Sequence, residues 1–453
     1  MHLLSFKENR EFYTLLFATA IPIAVQNAIS TSLNLVDNVM IGQLGATSIA
    51  AVGAANQLFF LMTLILFGSY SGVSIFISQY WGQKSYDRLK EVMVVAITLG
   101  IIVSSIFFVI AFVFPSQFLT LLSGDPALIE QGVPYLKIVS FSYLLTAMSF
   151  AFGFSTRGIG HAKLPMKASI ISLLINTGLN VLLIFGLLGF PALGVKGAAI
   201  ATLIARIIEF IIIMNGIYSN ISYLAVKFED FKKTHAGIFK NILKTAFPVI
   251  VNEGFWALGM TVYTYVYAHM GTMEMAAVQI SNMINSLFFV ISMGLGNAAM
   301  VILGNKLGAG ERETAIEFNK KFLVLAFSLG VMVGVIVFTF SPFVIPVLFK
   351  LSADGVAATI NTLRVLAFLT PFRFYNTIMI IGTLRSGGDT VFSMILELAC
   401  VWLLGVPLAF FGGFYLMLPV HLVAGLVGIE EISKVILGFP RVKSNKWAKR
   451  ITA

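Results

Sequence analysis

An all-α integral membrane protein, with twelve transmembrane helices in two pseudo-symmetric six-helix bundles, is the fold class this sequence predicts. Three observations predict it. Hydrophobic residues make up 58% of the chain and charged residues 11%, where a soluble domain carries about 25% charged residues. Apolar runs long enough to cross a core of roughly 30 Å recur twelve times, centred near residues 28, 62, 103, 143, 177, 206, 256, 289, 332, 370, 400 and 427. The chain also repeats itself: residues 20–88 lie over 246–314 at a constant offset of 226 without a gap. Ala20-Ile21-Pro22 matches Ala246-Phe247-Pro248, Gly45 matches Gly271, Asn56 matches Asn282, Gly68 matches Gly294 and Gly82 matches Gly308. Strands of a membrane barrel would alternate apolar and polar residues; these runs do not, so they read as helices.

A duplicated hydrophobic half is the signature of a membrane transporter with its site between the halves. The segment from His2 to Glu11 is polar and no small-residue cleavage site follows the first apolar run, so the first helix is expected to be retained. Basic residues set the orientation. Lys7, Arg10, Lys84, Arg88, Lys90, Arg157, Lys163, Lys167, the cluster Lys227 to Lys244, Lys306, Arg312, Lys320, Lys321, Arg385 and the tail Arg441 to Arg450 fall on one side. Only Lys196 and Lys350 fall in the opposite loops. Both termini are therefore expected in the cytoplasm and the protein in the cell membrane. The net charge of +10 follows from this bias and from headgroup contact; nucleic-acid binding explains it poorly, because the basic residues are spread over many short loops.

The longest polar connection, about residues 216–240, separates six helices from six. The expected organisation is an N-terminal lobe over 1–218, an inter-lobe loop over 219–240, a C-terminal lobe over 241–440 and a basic tail over 441–453. No loop has room for a nucleotide-binding cassette, and neither a phosphate loop nor a dinucleotide fingerprint occurs. Energy for transport must then come from an ion gradient or a separate subunit. The single cysteine, Cys400, permits no intramolecular disulfide. Within each half, Thr156-Arg157-Gly158-Ile159-Gly160 and Leu384-Arg385-Ser386-Gly387-Gly388 mark corresponding turns after the fourth helix; a structural role is expected for both arginines.

Chemistry enters with Asp37, a carboxylate inside the first apolar helix. Such a group costs on the order of 2.5–3.5 kcal/mol to place there and is a functional candidate by default. Asn27, Ser30, Thr31, Asn34 and Asp37 recur at three- and four-residue steps and so share one helix face. Burial favours the neutral acid and a bound cation favours the carboxylate; one such group can exchange a proton for another cation. Asn176 and Asn180, four apart, point the same way, and the bland alternative is that they join helices by hydrogen bonds of about 0.6–2 kcal/mol. In the second half, Glu253, Trp256, Met260, Tyr263 and Tyr267 share a face carrying an acid and an aromatic wall. Gln279, Asn282, Ser286, Phe289 and Met293 form a stripe on the next helix. Aromatic and methionine walls suit lipophilic cations, or are ordinary helix packing.

The ordered set Pro22 to Gly42 with Val36-Asp37-Asn38, Asn176 to Thr202 with Gly186, Pro191 and Gly194, Trp402 to Pro407, and Glu430-Glu431 to Trp447 resembles the multidrug and toxic compound extrusion (MATE) transporters over nearly the full length. The resemblance implies two six-helix bundles around a central cleft and export of organic, often cationic, compounds against influx of Na⁺ or H⁺. It implies a cation-coupling set of Asp37, Asn176, Asn180 and Thr202, with Na⁺ the only metal ion expected and no other cofactor. Some members carry an aspartate where this chain has Asn180, so the site here is one charge weaker. Glu253 matches an acid of the Na⁺-dependent branch, but the tenth-helix aspartate of that branch is missing from Pro371 to Asn376. Arg373 is therefore a candidate partner for Glu253, a tethered cation in place of a free one. The expected substrate-facing residues are Asn34, Trp256, Met260, Tyr263, Gln279, Asn282 and Phe289.

Arg206 with Glu209, and Glu430-Glu431 with Lys434, are expected to pair within their own helices. No second His or Cys stands at ligand spacing from His269 or His421. A lipid-linked sugar flippase of the wider superfamily is an alternative, though it would need a cationic cleft. A membrane-embedded enzyme is a further alternative that lacks clustered aspartates or a nucleophile–base pair; no catalytic residue is expected. The expected partners are small organic substrates and the bilayer, with no nucleic acid, and the chain is expected to act as a monomer.

Overall fold

The computed structural model describes residues 9–452. Residues 1–8, with Lys7 of the basic side among them, and Ala453 of the tail lie outside the described residues, as does the side chain of Asn34. The described chain is helical almost throughout. In order come α1 (Arg10–Gly42), α2 (Ala46–Gly82), α3 (Tyr86–Val113), the short α4 (Pro115–Leu122), α5 (Pro126–Gly158), α6 (Lys163–Phe185) and α7 (Val195–Asn220). The short α8 (Phe228–Lys233), α9 (Ala236–Met270), α10 (Thr272–Gly308) and α11 (Arg312–Leu348) follow. The last three are α12 (Ala353–Leu384), α13 (Thr390–Tyr415) and α14 (Val420–Lys443). Ten of these helices are long and apolar enough to cross a membrane. The other two of spanning length, α9 and α14, carry charged residues in their middles, Glu253 in one and Glu430, Glu431 and Lys434 in the other. Together they make the twelve-helix, all-α membrane fold expected.

The sequence repeat is a structural repeat. The helices that begin at Arg10, Ala46 and Tyr86 are matched by helices that begin at Ala236, Thr272 and Arg312, each at the offset of 226. α2 and α10 are both 37 residues long. Each is preceded directly by a glycine, Gly45 with φ 113° or Gly271 with φ 150°, backbone conformations at which a Cβ would be strained.

Contacts divide the chain into two units. One is Val25–Ile250; the other joins the described residues up to Ala24 with those from Val251 onward. The chain passes from one unit to the other inside α1 and returns inside α9, and the connection over 219–240 lies within the first of them. Glycine allows both hand-overs. A Cβ on Gly68 of α2 would lie 2.7 Å from the Ile250 Cα of α9, and one on the matching Gly294 of α10 would lie 3.0 Å from the Ala24 Cα of α1. Backbones approach this closely in membranes where small residues permit it. Phe12, at the start of α1, is buried edge-on between Phe318 and Phe322 of α11.

Several helices are not uniform. α12 ends in a π-helical stretch, Ile378–Leu384, and α13 contains two, Val401–Gly405 and Phe411–Tyr415. Wider turns of this kind often accompany functional sites in α-helices. They also rotate the residues that follow around the helix axis.

Candidate functional site

The unit formed by Val25–Ile250 contains a connected polar set at the end of α1. Asn180 of α6 donates its amide Nδ2 to Asp37 Oδ1 at 2.5 Å and to Asn176 Oδ1 at 3.1 Å. Asn176 Nδ2 donates to Thr202 Oγ1 of α7 at 3.4 Å. The four residues expected to form the coupling set are therefore linked in one chain of hydrogen bonds across three helices. Helical spacing explains part of this: Asn176 and Asn180 lie four apart, so their amides stack on one face. Both asparagines are fully buried. Asn180 Oδ1 is buried without a hydrogen-bond partner, an acceptor left available beside the carboxylate. A carboxylate, two amides and a hydroxyl form an oxygen-rich donor set of the kind hard monovalent cations accept.

Asp37 and Thr202 also line a cavity of about 320 Å³ within the same unit, a volume in the range of small-molecule pockets. Phe59 and Phe60 supply apolar wall, while Asn38, Asn56, Thr63 and Tyr135 supply polar edges. Tyr135 donates its hydroxyl to Asn56 Oδ1 at 3.3 Å. The remaining charged wall residue is Arg206, which lies one helical turn beyond Thr202 and is held by Glu209 at 2.6 Å. Glu209 in turn accepts from Ser169 at 2.8 Å, Ser169 from Gln26 at 3.2 Å, and Gln26 from Arg157 at 2.5 Å. Asn56, Tyr135 and Gln26 are not among the expected site residues, and Arg206 is expected only to pair within its own helix. Polar residues in apolar helices were the available signal for all of them.

Two hydroxyls of the α1 stripe bond within their own helix instead. Ser30 and Thr31 turn back to bond the carbonyls of Gln26 and Asn27, at 3.1 Å each, a common fate of hydroxyls in apolar helices.

In the other unit, the expected pairing of Glu253 with Arg373 is corrected. Glu253 pairs with Arg385, at 2.8 Å, and Arg373 lies 3.8 Å from Glu431 instead. The two arginines are twelve residues apart on α12 and the chain after it, roughly 18 Å of helix rise, so one acid cannot serve both. Arg385 is buried and directly follows the π-helical stretch Ile378–Leu384. The partner of Glu253 is thus the turn arginine that repeats Arg157, and Arg157 itself bonds Gln26 of α1. Asn252, the repeat partner of Gln26, donates to Glu397 of α13 at 2.6 Å.

Tyr263, the repeat partner of Asp37, is buried and donates its hydroxyl to Glu430 Oε2 at 2.5 Å. Trp256 and Met260 are half-buried and pack against the apolar cluster around Tyr263 and Val266. Gln279, Asn282 and Phe289 are exposed along α10. Within their unit, then, Trp256, Met260 and Tyr263 come together in one apolar cluster. The position of the Asn34 side chain lies outside the described residues.

Comparison with known proteins gives the fold a family. The MatE family model matches residues 22–182 and 248–411, one match in each half. An uncharacterised transporter, YisQ of Bacillus subtilis, is 26% identical over 441 residues, 96% of this chain and 95% of its own. A Thermotoga maritima protein bearing the name "Probable multidrug resistance protein NorM" is 25% identical, with 96% of this chain and 93% of that one covered. Among solved structures, a MATE protein in the bent conformation superimposes with a TM-score of 0.87 at 20% identity, covering 96% of both chains. An outward-facing multidrug resistance MATE transporter superimposes at 0.83 and 21% identity, covering 95% of this chain and 96% of that one. The chain belongs to the MatE family, the multidrug and toxic compound extrusion transporters.

Proposed function

We propose that the chain is a secondary active antiporter, exporting amphipathic and often cationic organic compounds in exchange for Na⁺ or H⁺ by alternating access. The observation that carries the reading is the bonded set Asp37–Asn180–Asn176–Thr202 at the wall of a cavity that is part aromatic and part polar. In this reading Asp37 supplies the exchangeable charge. Asn180 orients the carboxylate through Nδ2 and offers Oδ1 to the incoming ion, and Asn176 and Thr202 hold Asn180 in place. An amide cannot store a proton, so Asp37 alone carries the charge that is exchanged. The names of the relatives support multidrug efflux as the cargo class.

The coupling ion is the only cofactor this mechanism uses. The protein works as a monomer in the cell membrane with both termini cytoplasmic, in keeping with the distribution of its basic loops, and its partners are small organic substrates and lipid. Ethidium or norfloxacin efflux from vesicles under imposed Na⁺ or H⁺ gradients tests the reading. Wild-type protein is expected to respond to one of the gradients and Asp37→Asn to neither. Gradient-driven efflux that survives Asp37→Asn would overturn the assignment.

A further inference from the structure

The last helix of each half carries a basic residue at the matching place. At an offset of 228, Gly197 lies over Gly425, Thr202 over Glu430 and Arg206 over Lys434. The acid that faces this helix in the first half, Asp37, is replaced in the second by Tyr263. The two halves have thus exchanged their acid between helices. In the first it lies on α1 opposite a threonine of α7; in the second it lies on α14 opposite a tyrosine of α9, which donates to it at 2.5 Å.

What differs most is the direction of the basic side chain. Arg206 has an acid one turn ahead, Glu209, and no acid behind it; it pairs forward at 2.6 Å. Lys434 has Leu437 ahead and Glu430 and Glu431 behind, and its ammonium lies 3.5 Å from Glu430 Oε1 and 3.6 Å from Glu431 Oε1. These nearly equal distances exceed those of a direct ammonium–carboxylate bond, about 2.7–2.9 Å, and place the charge between two acids, as an ion sits in a cage. Lys434 is 2% exposed. Asn376, 3% exposed, donates to Glu431 Oε2 at 2.7 Å and keeps its own Oδ1 buried and unpartnered. Arg373 approaches the same Glu431 Oε1 at 3.8 Å, and a buried, unpartnered amide oxygen next to a carboxylate and a buried ammonium is more than helix packing requires.

We propose that Glu430, Glu431, Tyr263 and Asn376 form the second half's counterpart of the Asp37 site, a monovalent-cation cage permanently occupied by the Lys434 ammonium. The consequence is a coupling ratio of one. Only the first half takes up and releases an ion in each cycle, because the second half carries its cation on a covalent tether. The ratio rests on reading Asp37 as the exchange site, whereas the cage itself does not.

Purified variants melted across a range of Na⁺ or Li⁺, with choline holding ionic strength constant, test it. Asp37→Asn is expected to lose the cation response, and Asp37→Asn with Lys434→Gln to acquire a new, saturable rise in melting temperature. A folded double variant whose melting temperature ignores both ions overturns the cage. Should Lys434→Gln fail to fold, the wild-type ratio of cation to substrate flux in proteoliposomes decides: one supports the proposal and two overturns it. A cation response persisting in Asp37→Asn would remove the Asp37 reading. The increment produced by Lys434→Gln would still decide the cage.

Discussion

In the first half of the chain the basic residue of the last helix, Arg206, is drawn forward to Glu209 and leaves Asp37 beside an open cavity. In the second half the equivalent Lys434 is drawn back onto Glu430 and Glu431. The scaffold of the two halves is shared down to helix starts and glycine corners. Three acids, Glu209 one turn ahead of Arg206 and Glu430 and Glu431 one turn behind Lys434, distinguish the two, and in the proposed mechanism they separate a site that exchanges its ion from one that holds its own. Duplication preserved the helices, and the position of a few charges within them differs between the halves.

The largest effect expected is at Asp37. Asp37→Asn should bring gradient-driven efflux down to that of vesicles without protein, while Glu253→Gln should leave a measurable driven rate, because Glu253 already has a fixed partner in Arg385. Equal loss in both would erase the contrast between the halves. Next in size is Arg385→Ala, which strands Glu253 without its arginine and should cost about 3–5 kcal/mol of stability, read as a fall in melting temperature in detergent. Adding Glu253→Gln should recover most of that fall; if it does not, the pair is not what Arg385 contributes.

Asn180→Ala removes the amide bonded to Asp37 and should raise the half-saturating cation concentration about tenfold, the order of one charge-assisted hydrogen bond. Asn180→Asp should shift it the other way by adding an anionic ligand. The smallest effect concerns Arg206. Glu209→Gln frees its guanidinium to approach Asp37, giving the first half a resident cation like that of the second. The half-saturating concentration should rise about threefold to tenfold, and Arg206→Gln in the same chain should reverse it. An unchanged concentration would mean that the direction of Arg206 does not matter.

Much of this was legible in the chain alone. The helices announce themselves because hydrocarbon demands long apolar runs, and the repeat is visible because glycine and proline positions are costly to change. Asp37 and the pair Asn176 and Asn180 stand out in the chain because acids and amides in apolar helices are rare and four-residue spacing aligns the amides; their union with Thr202 in one set is implied by the resemblance to the family. The Glu253 partner could not. Arg373 and Arg385 both lie near in sequence pattern, and the choice depends on how Ile378–Leu384 winds, which hydropathy does not encode. Nor does the covalent order reveal that α1 and α9 each pass between units, because that depends on backbone approach at Gly68 and Gly294. Asn56, Tyr135 and Arg206 reach the cavity from three different helices; only tertiary packing brings them to Asp37.

In the proposed mechanism one carboxylate, Asp37, is occupied by the coupling ion or released from it as cargo is exchanged. Binding of a fluorescent organic cation to the purified protein, titrated with Na⁺ and with acid, tests it most directly. One of these ions is expected to displace the dye from wild-type protein, and neither to do so from Asp37→Asn. Displacement that is the same in both proteins would contradict it.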